Sequence, residues 1–158
     1  MNEPGICLHP IIEEKWRRRF MALCEHIAEW SKDPSTKVGA VIVNYKRQVV
    51  GMGYNGFPRG VKDSEERYAD RAEKYPRVVH AEMNAILNAS ANVKGCSLFT
   101  SPLNTCARCA TFVIQAGIKT VYASPVETTP DERSQAWLKE WNLAQEMYYE
   151  AGVSVYYL

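Results

Sequence analysis

The chain reads as an α/β protein, with helices on both faces of a mixed five-stranded sheet whose last two strands run parallel. Three observations carry that reading. Apolar runs of strand length alternate with helical periodicities from residue 80 onward, and a hairpin pattern precedes them. The length, 158 residues, suits one domain with one core, so a single unit over 1–158 is expected.

The elements follow in order. From Ile11 to Trp30, the residues Ile12, Trp16, Phe20, Leu23, Ile27 and Trp30 recur at helical spacing. "SKDP" (31–34) stops this helix, because the residue before a proline is pushed out of the α region. "KVGAVIVNYKRQVVGMGYNG" holds two apolar runs, 38–43 and 49–54, around the polar "NYKRQ". That is a β-hairpin pattern, closed by "GYNG". Residues 57–79 are rich in charges of both signs, with a short helix expected around 63–74. "HAEMNAILNASA" predicts a helix from His80, "CSLFTS" a strand at 96–101, and "CARCATFVIQA" a helix over 106–116. Gly117 is placed to cap that helix. "IKTVYA" (118–123) predicts the fourth strand, 131–150 a long helix, and "VSVYY" (153–157) the fifth strand. A helical crossover before the fifth strand predicts parallel pairing, where a tight turn would have made the pair antiparallel.

Composition excludes several classes. A net charge of +1 gives no bulk attraction to nucleic acid or membrane, so any anion site must be local. A single-strand binder would want a basic groove with interleaved aromatics, whereas here Tyr148, Tyr149, Tyr156 and Tyr157 gather near the C-terminus. No apolar run reaches the roughly 18 residues of a membrane span. "MNEPGICLHPIIEEKWRRRF" carries early acids and too short an apolar stretch for a secretory signal, so a cytoplasmic protein is expected.

The five cysteines, Cys7, Cys24, Cys96, Cys106 and Cys109, are an odd set for a disulfide framework. Cys106 and Cys109 form C-x-x-C at a predicted helix start, where both sulfurs can meet one ion and the helix end favours thiolate. By itself this also fits a redox pair, half of a four-cysteine structural site, or chance. Of the histidines His9, His26 and His80, only His80 also begins a helix, which makes it the leading third ligand. Three protein ligands leave a tetrahedral zinc one open position. Glu82 lies two residues on; within a regular helix it would point away from His80, yet in the first turn it can reach over the metal. An isolated H-A-E would otherwise be a glutamate improving the helix dipole. Ala81, free at the helix start, offers its backbone N–H as a donor.

With H-x-E followed by C-x-x-C, the chain resembles the zinc-dependent nucleobase deaminases, and among them the deoxycytidylate (dCMP) deaminase family. The likeness runs from "WSKDPSTKVGAVIVN" through "VGMGYNGFPRG" and "KYPRVVHAEMNAILN" to "KGCSLF" and "CARCATFVIQAGIKTVYA", about residues 27–124. It implies the cytidine deaminase-like fold and one catalytic zinc on His80, Cys106 and Cys109, with Glu82 as proton shuttle. Some phage members hold further zinc through cysteines and histidines before the catalytic histidine; residues 57–79 contain neither. The resemblance also implies conversion of dCMP to dUMP and ammonia, Asn55 reaching the nucleotide, and assembly into a homo-oligomer, commonly a hexamer. A bland alternative for Asn55 is a turn asparagine. Activation by dCTP and inhibition by dTTP, with Mg2+ on the triphosphate, are implied near "GYNGFPRG". Candidate phosphate or effector residues are therefore Lys32, Gly53, Tyr54, Gly56, Pro58, Arg59 and Gly60, and the other cations of 57–79 and Lys37 are open alternatives. Trp137, Trp141 and Tyr148 could form an interface or cover the sheet.

One feature departs from the family pattern. Thr105 stands where a proline usually precedes the first cysteine, and "TSPLNTC" is about one residue longer than usual. The pocket wall before Cys106 is thus expected to differ. Rival readings are a deaminase of another base, such as tRNA adenosine or a riboflavin-pathway substrate, and a noncatalytic zinc-stabilised nucleotide sensor. Glu82 speaks against the sensor, since a closed structural site has no use for a carboxylate above an open position.

Overall fold

The computed structural model describes residues 11–158; the alternative ligands Cys7 and His9 lie outside them. In chain order the elements are α1 (Glu14–Ala28), β1 (Gly39–Val43), β2 (Val49–Tyr54), α2 (Glu65–Ala69), α3 (Arg71–Lys74) and α4 (Ala81–Leu87). There follow β3 (Ser97–Ser101), α5 (Ala107–Gln115), β4 (Thr120–Ala123), α6 (Glu132–Glu150) and β5 (Ser154–Tyr157). The strands form one sheet in the order β2-β1-β3-β4-β5. β1 pairs antiparallel with both β2 and β3, while β3, β4 and β5 are parallel. The hairpin and the parallel final pair are both as the sequence predicts.

Alternation along the strands sorts the two faces of the sheet. Val41, Val43, Phe99 and Tyr122 pack against Phe20, Met21, Cys24 and Ile27 of α1. Ala40, Ile42, Leu98 and Val121 face the other layer and meet Ala85 of α4, Val113 of α5 and Ala144 of α6. Two glycines set the spacing between layers. A Cβ on Gly39 would lie 2.0 Å from the Cys24 carbonyl oxygen of α1. A Cβ on Gly53 would lie 2.4 Å from Ala85 N and 2.7 Å from Ala81 O, so α4 can seat its first turn against β2 only because this residue is glycine.

Two local departures have physical causes. The helix expected around 63–74 is broken into α2 and α3, because Asp70 is extended (φ −90°, ψ 114°) and its carboxylate caps the Ala72 N–H. The helix expected to run through Ala91 stops at Leu87, where the chain turns so that Ser90 N–H can donate to the Val50 carbonyl of β2. Tyr148 is fully buried, so of its two alternatives, interface or sheet cover, it takes the second. Its position on α6, one turn after buried Ala144, directs it at the sheet layer, whereas Trp137 and Trp141 are half-buried. No helix among the described residues is long and apolar enough to cross a membrane.

Candidate metal centre and active site

Gly39, Tyr54 and Ser101 stand in register at one end of their strands, the carboxyl end of β3. The first turns of α4 and α5 meet there. His80 is the N-cap of α4, in extended conformation (φ −70°, ψ 156°), and Cys106 is the N-cap of α5. This placement resolves the objection that residues two apart on a helix face opposite ways. His80 stands outside the helix, so it and Glu82 can address the same space.

His80 Nδ1 lies 3.5 Å from Cys106 Sγ and 3.3 Å from Cys109 Sγ. Among the described residues these three form a group whose ligand atoms all lie within 4.8 Å of one another. Bonds of about 2.0 Å to nitrogen and about 2.3 Å to sulfur would set tetrahedral N and S roughly 3.5 Å apart, so the donor set fits zinc. The Cys109 N–H points at Cys106 Sγ over 3.4 Å. The Cys109 thiol, helped by His80 and that N–H, holds the Cys106 thiol well below its ordinary value, at about 4. One thiolate is thus favoured before any ion arrives.

Glu82 is 4% exposed. Burial pushes its carboxyl up to about 7, with neighbouring His80 pulling the other way. A carboxyl that gains and loses a proton near neutrality suits general acid–base work.

These groups open onto a cavity of about 600 Å³. His80, Ala81 and Glu82 line it on the metal side. The first intrahelical bond of α4 runs from Asn84 N–H to His80 C=O, leaving the Ala81 N–H without a helical acceptor. Asn55 also lines the cavity, with its amide already engaged. Its Oδ1 accepts from Val38 N–H at 2.8 Å, and its Nδ2 donates to Thr36 C=O at 2.9 Å. Asn55 therefore shapes the 33–38 loop, and one Oδ1 lone pair remains for a ligand.

Three cations line this cavity, Arg71, Lys74 and Arg133. Lys74 Nζ is held 2.9 Å from Asp33 Oδ1, with side-chain exposures of 8% and 5%. Arg71 and Arg133 have no ion-pair partner among the described residues. Arg133 escaped the sequence reading, because nothing near residue 133 marks it; only the crossover of α6 brings it to the cavity. The Asp33–Lys74 pair escaped it too, since the partners are 41 residues apart.

The other candidate phosphate residues fall elsewhere. Lys32 pairs with Asp63 at 2.7 Å on the surface and lines neither this cavity nor the next. A second cavity of about 380 Å³ is lined by Ile27, Trp30, Met52, Gly53, Tyr54, Arg59 and Asn88. There Arg59 donates to Asn88 Oδ1 at 2.8 Å, and Trp30 meets Tyr54 edge-on. Gly56 bridges to Val79, and Pro58 and Gly60 (φ 82°) form an exposed turn.

Known proteins place this arrangement. The family model for the cytidine and deoxycytidylate deaminase zinc-binding region matches residues 14–124. An uncharacterised deaminase of the luxG 3′ region of Aliivibrio fischeri is 42% identical over 91% of this chain and 94% of its own length. The deoxycytidylate deaminase of Mus musculus is 50% identical over 68% of this chain and 63% of that enzyme, so the chain spans less than two thirds of it. The crystal structure of dCMP deaminase from cyanophage S-TIM5, in complex with dCMP and dUMP, superposes with a TM-score of 0.70. Its identity is 25%, over 93% of this chain and 99% of the phage chain. With the ligand triad, the sheet order and these relatives in agreement, the chain belongs to the cytidine and deoxycytidylate deaminase family and is a deaminase.

Proposed function

We propose that this protein hydrolyses dCMP to dUMP and ammonia, supplying dUMP for dTMP synthesis. The observation that carries the reading is a buried Glu82 beside the His80–Cys106–Cys109 triad, in a cavity of about 600 Å³ lined by two arginines that have no ion-pair partner among the described residues. Zinc held by the triad supplies Lewis-acid activation of the attacking water. Glu82 accepts that water's proton and delivers it to ring N3 while the water oxygen adds to C4. The same carboxyl then carries the second proton to the departing amine. Ala81 N–H faces the ring carbonyl, and Asn55 Oδ1 takes a sugar hydroxyl.

Arg71 and Arg133 receive the 5′-phosphate, because unpaired guanidinium groups in a cleft favour oxyanions. The panel that tests the whole reading is dCMP, deoxycytidine, dCTP and a tRNA substrate. Turnover of dCMP far above the others is expected, and preference for the tRNA substrate would move the protein to another branch of deaminases. Arg133→Ala should lower kcat/KM for dCMP about 10-fold, the scale of one charge-assisted hydrogen bond. Turnover of deoxycytidine, which has no phosphate, should stay as it was; equal losses on both substrates would remove Arg133 from phosphate binding.

Regulation is assigned to the second cavity. We infer that dCTP with Mg2+ activates and dTTP inhibits there, through Arg59, Tyr54 and Gly53, with Gly56, Pro58, Gly60 and Lys32 outside the cavity lining as further phosphate candidates. Arg59→Ala should abolish dCTP activation while basal dCMP turnover persists. Undiminished activation would exclude Arg59 from the effector site. The working form is a cytoplasmic homo-oligomer, a hexamer by family resemblance, and mass measurement in solution with and without dCTP tests it.

A further inference from the structure

Two buried hydroxyls connect α6 to the metal centre. Tyr148 Oη donates to Thr105 Oγ1 at 2.9 Å, between residues 43 apart in the chain, and both residues are wholly inaccessible to solvent. Thr105 is the residue immediately before Cys106. Its N–H is also held, donating to Asn104 Oδ1 at 2.8 Å. Both polar handles of Thr105 other than its carbonyl are therefore tied down. Neither bond is a regular-structure bond that would form without this particular wall.

Position matters here because Cys106 is the N-cap of α5, in extended conformation (φ −75°, ψ 167°). Thr105 carries the peptide that leads into Cys106, so holding Thr105 in place restrains the backbone from which Cys106 Sγ projects. A proline at this position would restrict the chain through its ring. Thr105 has no ring and reaches a defined geometry through its two hydrogen bonds. Burial holds the Tyr148 phenol protonated, which keeps it a donor across the working pH range.

We propose that Tyr148 is a positioning residue for the metal ligand Cys106, acting through the Thr105 hydroxyl. The proposal rests on the triad holding zinc and is independent of which nucleotide the enzyme prefers. Partners that orient metal ligands typically contribute 10- to 100-fold in metal affinity. Tyr148 sits one residue further removed, so the lower end of that range applies.

The test is zinc affinity of the full chain, measured by competition with a chromogenic chelator, alongside thermal melting of the zinc-free protein. Tyr148→Phe keeps the ring in the core and removes only the hydroxyl. Thr105→Val removes the acceptor at nearly constant volume. Each should bind zinc about 10-fold more weakly than wild type. Thr105→Ser, which keeps the hydroxyl, should bind like wild type. The double variant Tyr148→Phe/Thr105→Val should be no weaker than the weaker single variant, since one bond is lost in all three. Either single variant suffices for the affinity comparison.

Lower melting temperatures with unchanged zinc affinity would assign the bond to core stability alone and overturn the proposal. So would losses that multiply in the double variant, or a Thr105→Ser variant as weak as Thr105→Val. A wild-type protein that bound no zinc would remove the metal reading first, and the proposal with it.

Discussion

Glu82→Gln is expected to keep fold and zinc and to lose about 10²- to 10⁴-fold in turnover of dCMP. The replacement is nearly isosteric, so the buried niche of Glu82 stays filled. What disappears is the ability to accept a proton from water and release it to the ring and the amine. An amide cannot exchange a proton in that way at any accessible pH. Glu82 is suited to this work because burial lifts its carboxyl to about 7, into the range where both protonation states are populated. The measurement is ultraviolet loss of the cytosine chromophore, paired with metal analysis of the same preparation. Wild-type turnover in a zinc-replete Glu82→Gln protein would end the assignment. Loss of zinc together with activity would instead mean that Glu82 helps to hold the metal centre together.

Lys74→Met should destabilise the protein by about 3–5 kcal/mol, the usual consequence of leaving one member of a buried ion pair alone. Asp33 and Lys74 are 2.9 Å apart and almost wholly excluded from water. Asp33 cannot simply turn to solvent, since the same carboxylate accepts the Ser35 N–H at 2.8 Å and faces Asn55 Nδ2 at 3.4 Å. Lys74 thereby fastens the charged 57–79 segment to the loop that Asn55 organises. Urea unfolding gives the stability directly. Adding Asp33→Asn to Lys74→Met should recover part of the loss, because the stranded charge is then gone. A Lys74→Met protein within about 0.5 kcal/mol of wild type would show that the pair does not fasten this segment.

Legibility in the sequence followed the range of the interaction. The hairpin was readable because its two apolar runs flank a short polar turn, and the parallel end of the sheet because helix-length segments separate its strands. The N-termini of α4 and α5 were readable because His80 and Cys106 introduce apolar helical runs. By contrast, whether Asp70 lies within a helix or caps the next one depends on its backbone angles, which no local pattern reports. Tyr148 was open to surface or core alike, since α6 has charged and apolar residues on several sides. Lys74 looks like any other cation of the 57–79 segment in the sequence, and its partner is Asp33, a carboxylate on the other side of the hairpin in the chain.

The sequence by itself determined which donors are on offer: H-x-E and C-x-x-C are short, local spacings, ambiguous one at a time, which together and with the family resemblance read as a zinc donor set with a carboxylate beside it. The tertiary structure decided how that chemistry is held and addressed. Only the packing of α4 against Gly53 lets the two motifs meet, and only His80's place outside the helix lets Glu82 share its side. The path of α6 then brings Arg133 to the cavity and Tyr148 to Thr105. Those pairings join residues far apart in the chain, so their energy depends on where the sheet carries them and not on any spacing a linear reading can register.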